Sequence, residues 1–255
     1  MTGNGVDKEL LTKCLDITGS FEGASWDGVA GNFDGAGASF FILQWNFYSK
    51  TAQGLLYSMY NANIPLFKQI CGDEKAFDIV NASIAGTHYE EQAFITKITT
   101  GRMHKAQGDG FFDGGVDILP DWKETFKTLG DTFKDQQLAA ANVYLNAAID
   151  MCNEFGLKTE RAVAFMFDQA VQRGKYSVND EERKYLTMKS NPAYENKSEK
   201  WWLNFIMDDD SADVPPEWRN DVLARRSCII NGAGMVHGAQ YNLDKQFGLT
   251  DNIVL

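Results

Sequence analysis

Glu22 closes an amphipathic stretch, and Asp34 stands twelve positions later in the glycine-punctuated run Asn32-Phe33-Asp34-Gly35-Ala36-Gly37. Ser39 follows five residues after Asp34, ahead of a short apolar run that ends in Gln44-Trp45-Asn46. Two carboxylic acids on different local structures are the equipment of glycoside hydrolysis. One carboxyl, kept protonated, serves as general acid, and the other is base, nucleophile or ion stabiliser. Environment divides the roles. Apolar neighbours disfavour the charged form and raise a carboxyl's pKa, whereas a polar, solvated turn keeps it ionised. Glu22, beside Phe21 and with Trp26 close in sequence, suits the acid; Asp34 suits the base. The hydroxyl of Ser39 can orient a water. The same residues admit a plainer reading. Asp-Gly-x-Gly is common hairpin punctuation, because glycine takes positive φ without steric cost. Glu22 would then be a surface residue at a helix end.

The order of a helix-ending Glu22, then Asp34-Gly35-Ala36-Gly37-Ala38-Ser39, then Leu43-Gln44 resembles the lysozyme superfamily. Within it, the pattern is similar to the chitosanase-like branch (glycoside hydrolase family 46) and to peptidoglycan-degrading muramidase domains of phages and bacterial effectors. Two later segments are similar as well: Ala164 to Gly174, and Gly232 to Gly238. The resemblance implies Glu22 as general acid, Asp34 as general base and Ser39 as a holder of the attacking water. Gln44, Asn46, Asp168, Gln172 and His237 are the candidate substrate-binding residues. One departure stands out. Relatives often carry glycine where this chain has Phe40 or Phe41, and a phenyl ring fills space that glycine leaves open to a ligand.

Composition limits the alternatives. The chain has 255 residues, 44% of them hydrophobic and 13% aromatic, enough for one good core or two lobes sharing one. A net charge of −11 argues against nucleic acid, whose phosphates demand clustered Lys and Arg. It also argues against unaided adhesion to an anionic membrane or wall polymer, and it would attract a cationic polysaccharide such as chitosan. Cys14, Cys71, Cys152 and Cys228 are widely spaced among apolar residues, so reduced buried thiols are expected, with neither a zinc site nor a redox motif. No cofactor is expected. The first residues lack the apolar core of a signal peptide, and no run approaches a spanning helix. The expectation is synthesis in the cytoplasm, then delivery to the cell wall by phage lysis, a virion or specialised secretion. A delivery protein and a cognate inhibitor are the partners that route would bring.

These residues need elements to carry them. Apolar residues from Val6 to Ile17 recur at helical spacing, so residues 6–19 form a helix that delivers Glu22 at its exit. Residues 28–46 read as an irregular hairpin. Helical runs from residue 51 to 100 break at Asn63, Gly72 and Gly86. Residues 101–116 read as a loop; its Asp109 and Asp113, with Asp117, are spaced for a metal but lack an EF-hand pattern. A solvated turn is the simpler reading there, and His104 is a surface residue. Residues 118–156 are helical, and alanine-rich Leu138 to Ala148 suggests a buried central helix. The next helix carries Asp168 and Gln172 four apart on one face. A carboxylate there is expensive unless paired, so Asp168 is a core hydrogen-bond anchor or lines a cleft. Asp208 to Asp213 reads as a solvated connector, and Pro216 opens the last long helix. Gly232 to Gly238 reads as a tight loop holding His237 in a structural or substrate-contacting role.

The expected fold is mainly α, a lysozyme-like two-lobed catalytic domain spanning residues 1–255. A small hairpin lobe covers about residues 20–60, with the hairpin at 28–46, and a larger helical lobe makes up the rest. The expected function is hydrolysis of β-1,4 bonds between amino sugars, with peptidoglycan glycan strands as substrate. Chitosanase is the runner-up, a lytic transglycosylase stays open, and a glycan-binding module with a degenerate site is the non-enzyme alternative.

Overall fold

A computed structural model of the protein describes residues 4–100, 115–173, 188–212 and 214–255. The chain divides into two compact units, Gly23–Ala140 and Met1–Glu22 with Ala141–Leu255. The described residues are mainly helical with three small antiparallel sheets, the fold class expected. His104, Asp109 and Asp113 lie outside the described residues, and Asp117 sits in the strand Asp117–Ile118.

In the unit Gly23–Ala140 the expected hairpin is a three-stranded meander. Val29–Ala30 pairs with Ser39–Phe40, which pairs in turn with Trp45–Asn46. Its strands are two residues long because left-handed residues interrupt them. Gly35, Gly37 and also Ala38, Phe41 and Gln44 have positive φ, which turns the backbone out of the extended region. The helices Thr51–Ala62, Ile64–Ile84 and His88–Ile98 follow. Their breaks fall where the sequence placed them. The side chains of Asn63 and Thr87 accept from Leu66 N and Glu90 N as N-caps, and Gly72, at φ 75°, kinks the second helix.

Phe40 and Phe41 fill core space. Both rings are buried, and Phe40 packs against Phe126 at 4.5 Å and Phe47 at 6.2 Å. Positive φ at Phe41 reverses the chain, so that two consecutive rings reach one core. Each buried phenyl is worth roughly 1.5–3 kcal/mol of transfer free energy. Close backbone approach completes this unit: a Cβ on Gly31 would fall 1.6 Å from the Val116 carbonyl oxygen.

The other unit is built on the helix Glu160–Arg173, whose residues from Glu160 to Ala170 are all buried. It, rather than the alanine-rich stretch, is the central helix. The stretch lies in Lys134–Phe155, which buries one stripe (Ala141, Leu145, Ala148, Cys152, Phe155) and leaves Val143 exposed. Alanine favours helix but removes little area from water, so its abundance measures propensity and not burial. Around these helices lie Asn4–Phe21, Glu199–Ala212 and Pro216–Asn231. Asp208 and Asp209 extend the helix Glu199–Ala212, where a connector was expected. Gly232 to Gly238 is likewise more regular than a loop. Ala233–Val236 and Ala239–Asn242 form a hairpin whose two-residue turn is His237-Gly238. All four cysteines are free and buried. No helix among the described residues is long and apolar enough to cross a membrane.

Candidate active site

The helix Asn4–Phe21 ends one residue before Glu22, whose N–H still donates to the Thr18 carbonyl at 3.2 Å. The side chain therefore leaves the last turn, and it is 33% exposed. Its Oε1 accepts from Gln172 Nε2 at 3.0 Å and meets Nη1 of Arg225. The other arm of Arg225 donates from Nη2 to Asp168 Oδ1 at 2.7 Å. Thr18 Oγ1 donates to the same oxygen at 3.3 Å. Three helices supply the participants: Thr18 from Asn4–Phe21, Asp168 and Gln172 from Glu160–Arg173, Arg225 from Pro216–Asn231.

Burial sets the electrostatics of this cluster. Desolvation pushes the Asp168 carboxyl up to about 7; the Thr18 hydroxyl opposes the shift and the charge of Asp221 adds to it. Desolvation also pushes Arg225 down to about 10, which leaves it a cation at neutral pH. A guanidinium in direct contact favours the ionised carboxylate, so Arg225 pulls against the desolvation of Asp168. The Phe21 ring lies 5.6 Å from the guanidinium carbon, adding a cation–π contact. Of the two readings open to Asp168, the geometry is that of the hydrogen-bonded core anchor. The environment of Glu22 differs from the apolar one expected of it: Gln172 and Arg225, which meet Oε1, are polar, and one is charged.

His237 stands at the end of the same helix. Its Nδ1 is 2.8 Å from the Phe21 carbonyl oxygen, and its Nε2 meets Asp221 Oδ1. Tyr241 OH donates to the carbonyl of Ser20 at 3.0 Å. Glu22, Asp168, Gln172 and His237 are thus gathered within one unit.

Asp34, Ser39, Gln44 and Asn46 belong to the other unit. Asp34 is exposed, and its Oδ1 accepts from Ala36 N at 2.9 Å, the hydrogen bond of an Asx turn. Buried Asn32 braces that loop by accepting from Gly37 N at 2.9 Å. Ser39 is half-buried in the central strand of the meander, opposite Ala30 and Asn46. Gln44 is half-buried in a left-handed conformation. Asn46 is committed to its own turn: Oδ1 accepts from Ser49 N and Oγ, both at 2.8 Å.

Sequence reasoning passed over Arg225, Thr18, Asp221 and Tyr241. For Arg225 a signal was present. A carboxylate as deep as Asp168 requires a cation, and Arg225-Arg226 runs directly into Ser-Cys-Ile-Ile, whose apolar side chains must be buried. Tyr241 gave no such signal, since its partner is a backbone carbonyl. Among the described residues, no three His, Cys, Asp or Glu side chains converge as metal ligands.

No family model matches the sequence, and no curated protein matches it. A solved structure does: a mutant chitosanase from Bacillus subtilis MY002 complexed with 6 GlcN. The likeness has a TM-score of 0.53 at 17% identity and covers 95% of this chain and 98% of that one. At that identity it establishes a shared fold over nearly the whole chain.

Proposed function

We propose that this chain is a glycoside hydrolase that cleaves β-1,4 bonds between amino sugars, with both units acting as one catalytic domain. The observation that carries the reading is Glu22, partly exposed at the exit of the first helix and fixed by Arg225 and Gln172, in a chain with the fold of a chitosanase. Glu22 delivers a proton to the glycosidic oxygen as that bond to the anomeric carbon breaks. Asp34 takes a proton from the attacking water, whose oxygen bonds to the anomeric carbon, and Ser39 orients the water. Arg225 and Gln172 hold the Glu22 carboxyl in place for that step. Gln44, Asn46 and Gln172 are the proposed sugar-side residues; of the two roles open to His237, the structural one is proposed, since both ring nitrogens meet protein groups.

The peptidoglycan glycan strand is the substrate the sequence motifs indicate, through the Leu43-Gln44-Trp45-Asn46 segment and the segment from Gly232 to Gly238. Chitosan is the second reading. The net charge of −11 suits a cationic polymer, and the structural neighbour holds a glucosamine oligomer. Mass analysis of products from purified sacculi and from soluble chitosan tests both. Reducing-end muropeptides support the muramidase, anhydro products a lytic transglycosylase, and glucosamine oligomers a chitosanase. Binding to either polymer without any product would overturn the hydrolase reading.

A further inference from the structure

The carbonyls at the C-terminal end of a helix have no partner within it and carry its negative dipole end. In Asn4–Phe21, the carbonyls of Ser20 and Phe21 are met by the hairpin Ala233–Asn242. Tyr241 OH donates to the first at 3.0 Å, and the Tyr241 ring meets Phe21 edge-on at 5.0 Å. His237 Nδ1 lies 2.8 Å from the second. The next residue is Glu22. A helix is thus capped from a segment more than two hundred positions away in sequence, at the point where it releases the proposed acid.

The turn is shaped to deliver the imidazole. His237 and Gly238 have φ of 48° and 80°, the two left-handed residues of a type I′ hairpin. Gly, Asn or Asp ordinarily occupies the first of these positions, so a histidine there is a backbone cost that the side chain's contacts must offset. Those contacts are chemically specific. One ring nitrogen faces a carbonyl oxygen and the other a carboxylate, and both partners only accept. Asp221, which meets Nε2, and Arg225, which meets Glu22, are four residues apart on Pro216–Asn231.

We propose that His237 is a positioning residue that fixes Glu22 through the Phe21 carbonyl, with Asp221 bracing the other side of the ring. The proposal rests on the glycosidase reading for its consequence: turnover should depend on the His237 ring as well as on the carboxyls. His237→Asn tests it, since asparagine tolerates the left-handed turn but is too short to span from the Phe21 carbonyl to Asp221. With chitosan or sacculi as substrate, kcat is expected to fall about 10–100-fold with KM little changed, while the far-UV spectrum and urea midpoint hold. An unchanged kcat in the folded variant overturns the proposal. A second measurement needs no activity. NMR signals of the Phe21 carbonyl carbon and the Glu22 side-chain carboxyl should move between the wild type and His237→Asn. If the Glu22 signal is the same in both, the positioning role fails whatever the enzyme cleaves.

Discussion

Arg225 and Asp168 form a buried ion pair, Nη2 donating to Oδ1 at 2.7 Å from side chains that are 4% and 2% exposed. The same guanidinium reaches Glu22, so a structural anchor and the proposed acid share one cation. Taking both charges out of water is costly, and removing one partner is costlier still, because the other then stays buried and unpaired. Arg225→Met and Asp168→Leu should each lower unfolding free energy by about 3–5 kcal/mol. The double variant should lose less than the sum of the two losses. Urea denaturation at neutral pH reads all three. Additive losses would mean that the contact does not couple the residues.

Asp168 also makes stability depend on pH in an unusual direction. Burial raises its folded pKa to about 7 from an ordinary 3.8. Between those values the folded chain binds more protons at this site than the unfolded chain, so this contribution is full below the lower value. It is lost as pH rises through the upper one. Asp168→Asn cannot titrate. The stability of the wild type relative to this variant should therefore decline from about pH 4 to about pH 8. Urea midpoints at several pH values, with unchanged slopes, measure the trend. A relative gain for the wild type as pH rises would show that Arg225 outweighs desolvation.

Helix ends were legible in the sequence where local chemistry dictates them. Asn63 and Thr87 are N-caps, Pro216 opens a helix, and Gly72 breaks one, each for reasons confined to a few residues. The candidate acid was legible in the same way, as the residue following a periodic apolar stretch. Its surroundings were not. Arg225 and His237 reach the end of the first helix from more than two hundred positions away, and no local pattern encodes which distant side chain arrives. What space Phe40 and Phe41 fill was not legible for a related reason: left-handed φ at Phe41 turns both rings into one core. Asp34, Ser39 and Asn46 were correctly placed on a turn and short strands, because Gly and Asn at fixed offsets specify such backbone directly.

The four cysteines should be inert in the folded protein. Burial pushes the thiol of Cys71 up to about 12 and that of Cys228 to about 11, and it raises Cys14 and Cys152 too. The thiolate is the reactive species, so each is both starved of its nucleophile and shielded from reagent. A colorimetric disulfide reagent at neutral pH should label none of them natively and all four in urea. Rapid native labelling of even one would show that its part of the core opens.

Gly31 tests the packing around the meander that carries Asp34. An added Cβ would lie 1.6 Å from Val116 O and 2.7 Å from the carbonyl carbon, both backbone atoms that cannot rotate aside. The clash must be relieved by separating two chain segments. Gly31→Ala should cost at least about 1–3 kcal/mol, the range for overpacking. Gly54→Ala, where nothing lies within 4 Å and the residue is helical, is the control and should be neutral or slightly stabilising. Equal melting temperatures for the two variants would disprove the close approach.

Glu22→Gln separates chemistry from binding. Glutamine is nearly isosteric and keeps an oxygen for Arg225 and Gln172, so the fold and the cluster should survive. It has no proton to give a leaving oxygen, and general acid catalysis of this kind is worth roughly 10²–10⁴-fold. Turnover should fall by at least about 10²-fold while affinity for the glycan stays within a few fold. Asp34→Asn should show the same split, since an amide is no base for water. In Asp34 the loss should be partly recovered by added azide if the reaction inverts, because a small anion attacks the anomeric carbon without needing a base. Unchanged turnover in Glu22→Gln would remove Glu22 as the acid, and unchanged turnover in both variants would remove the carboxylate mechanism itself.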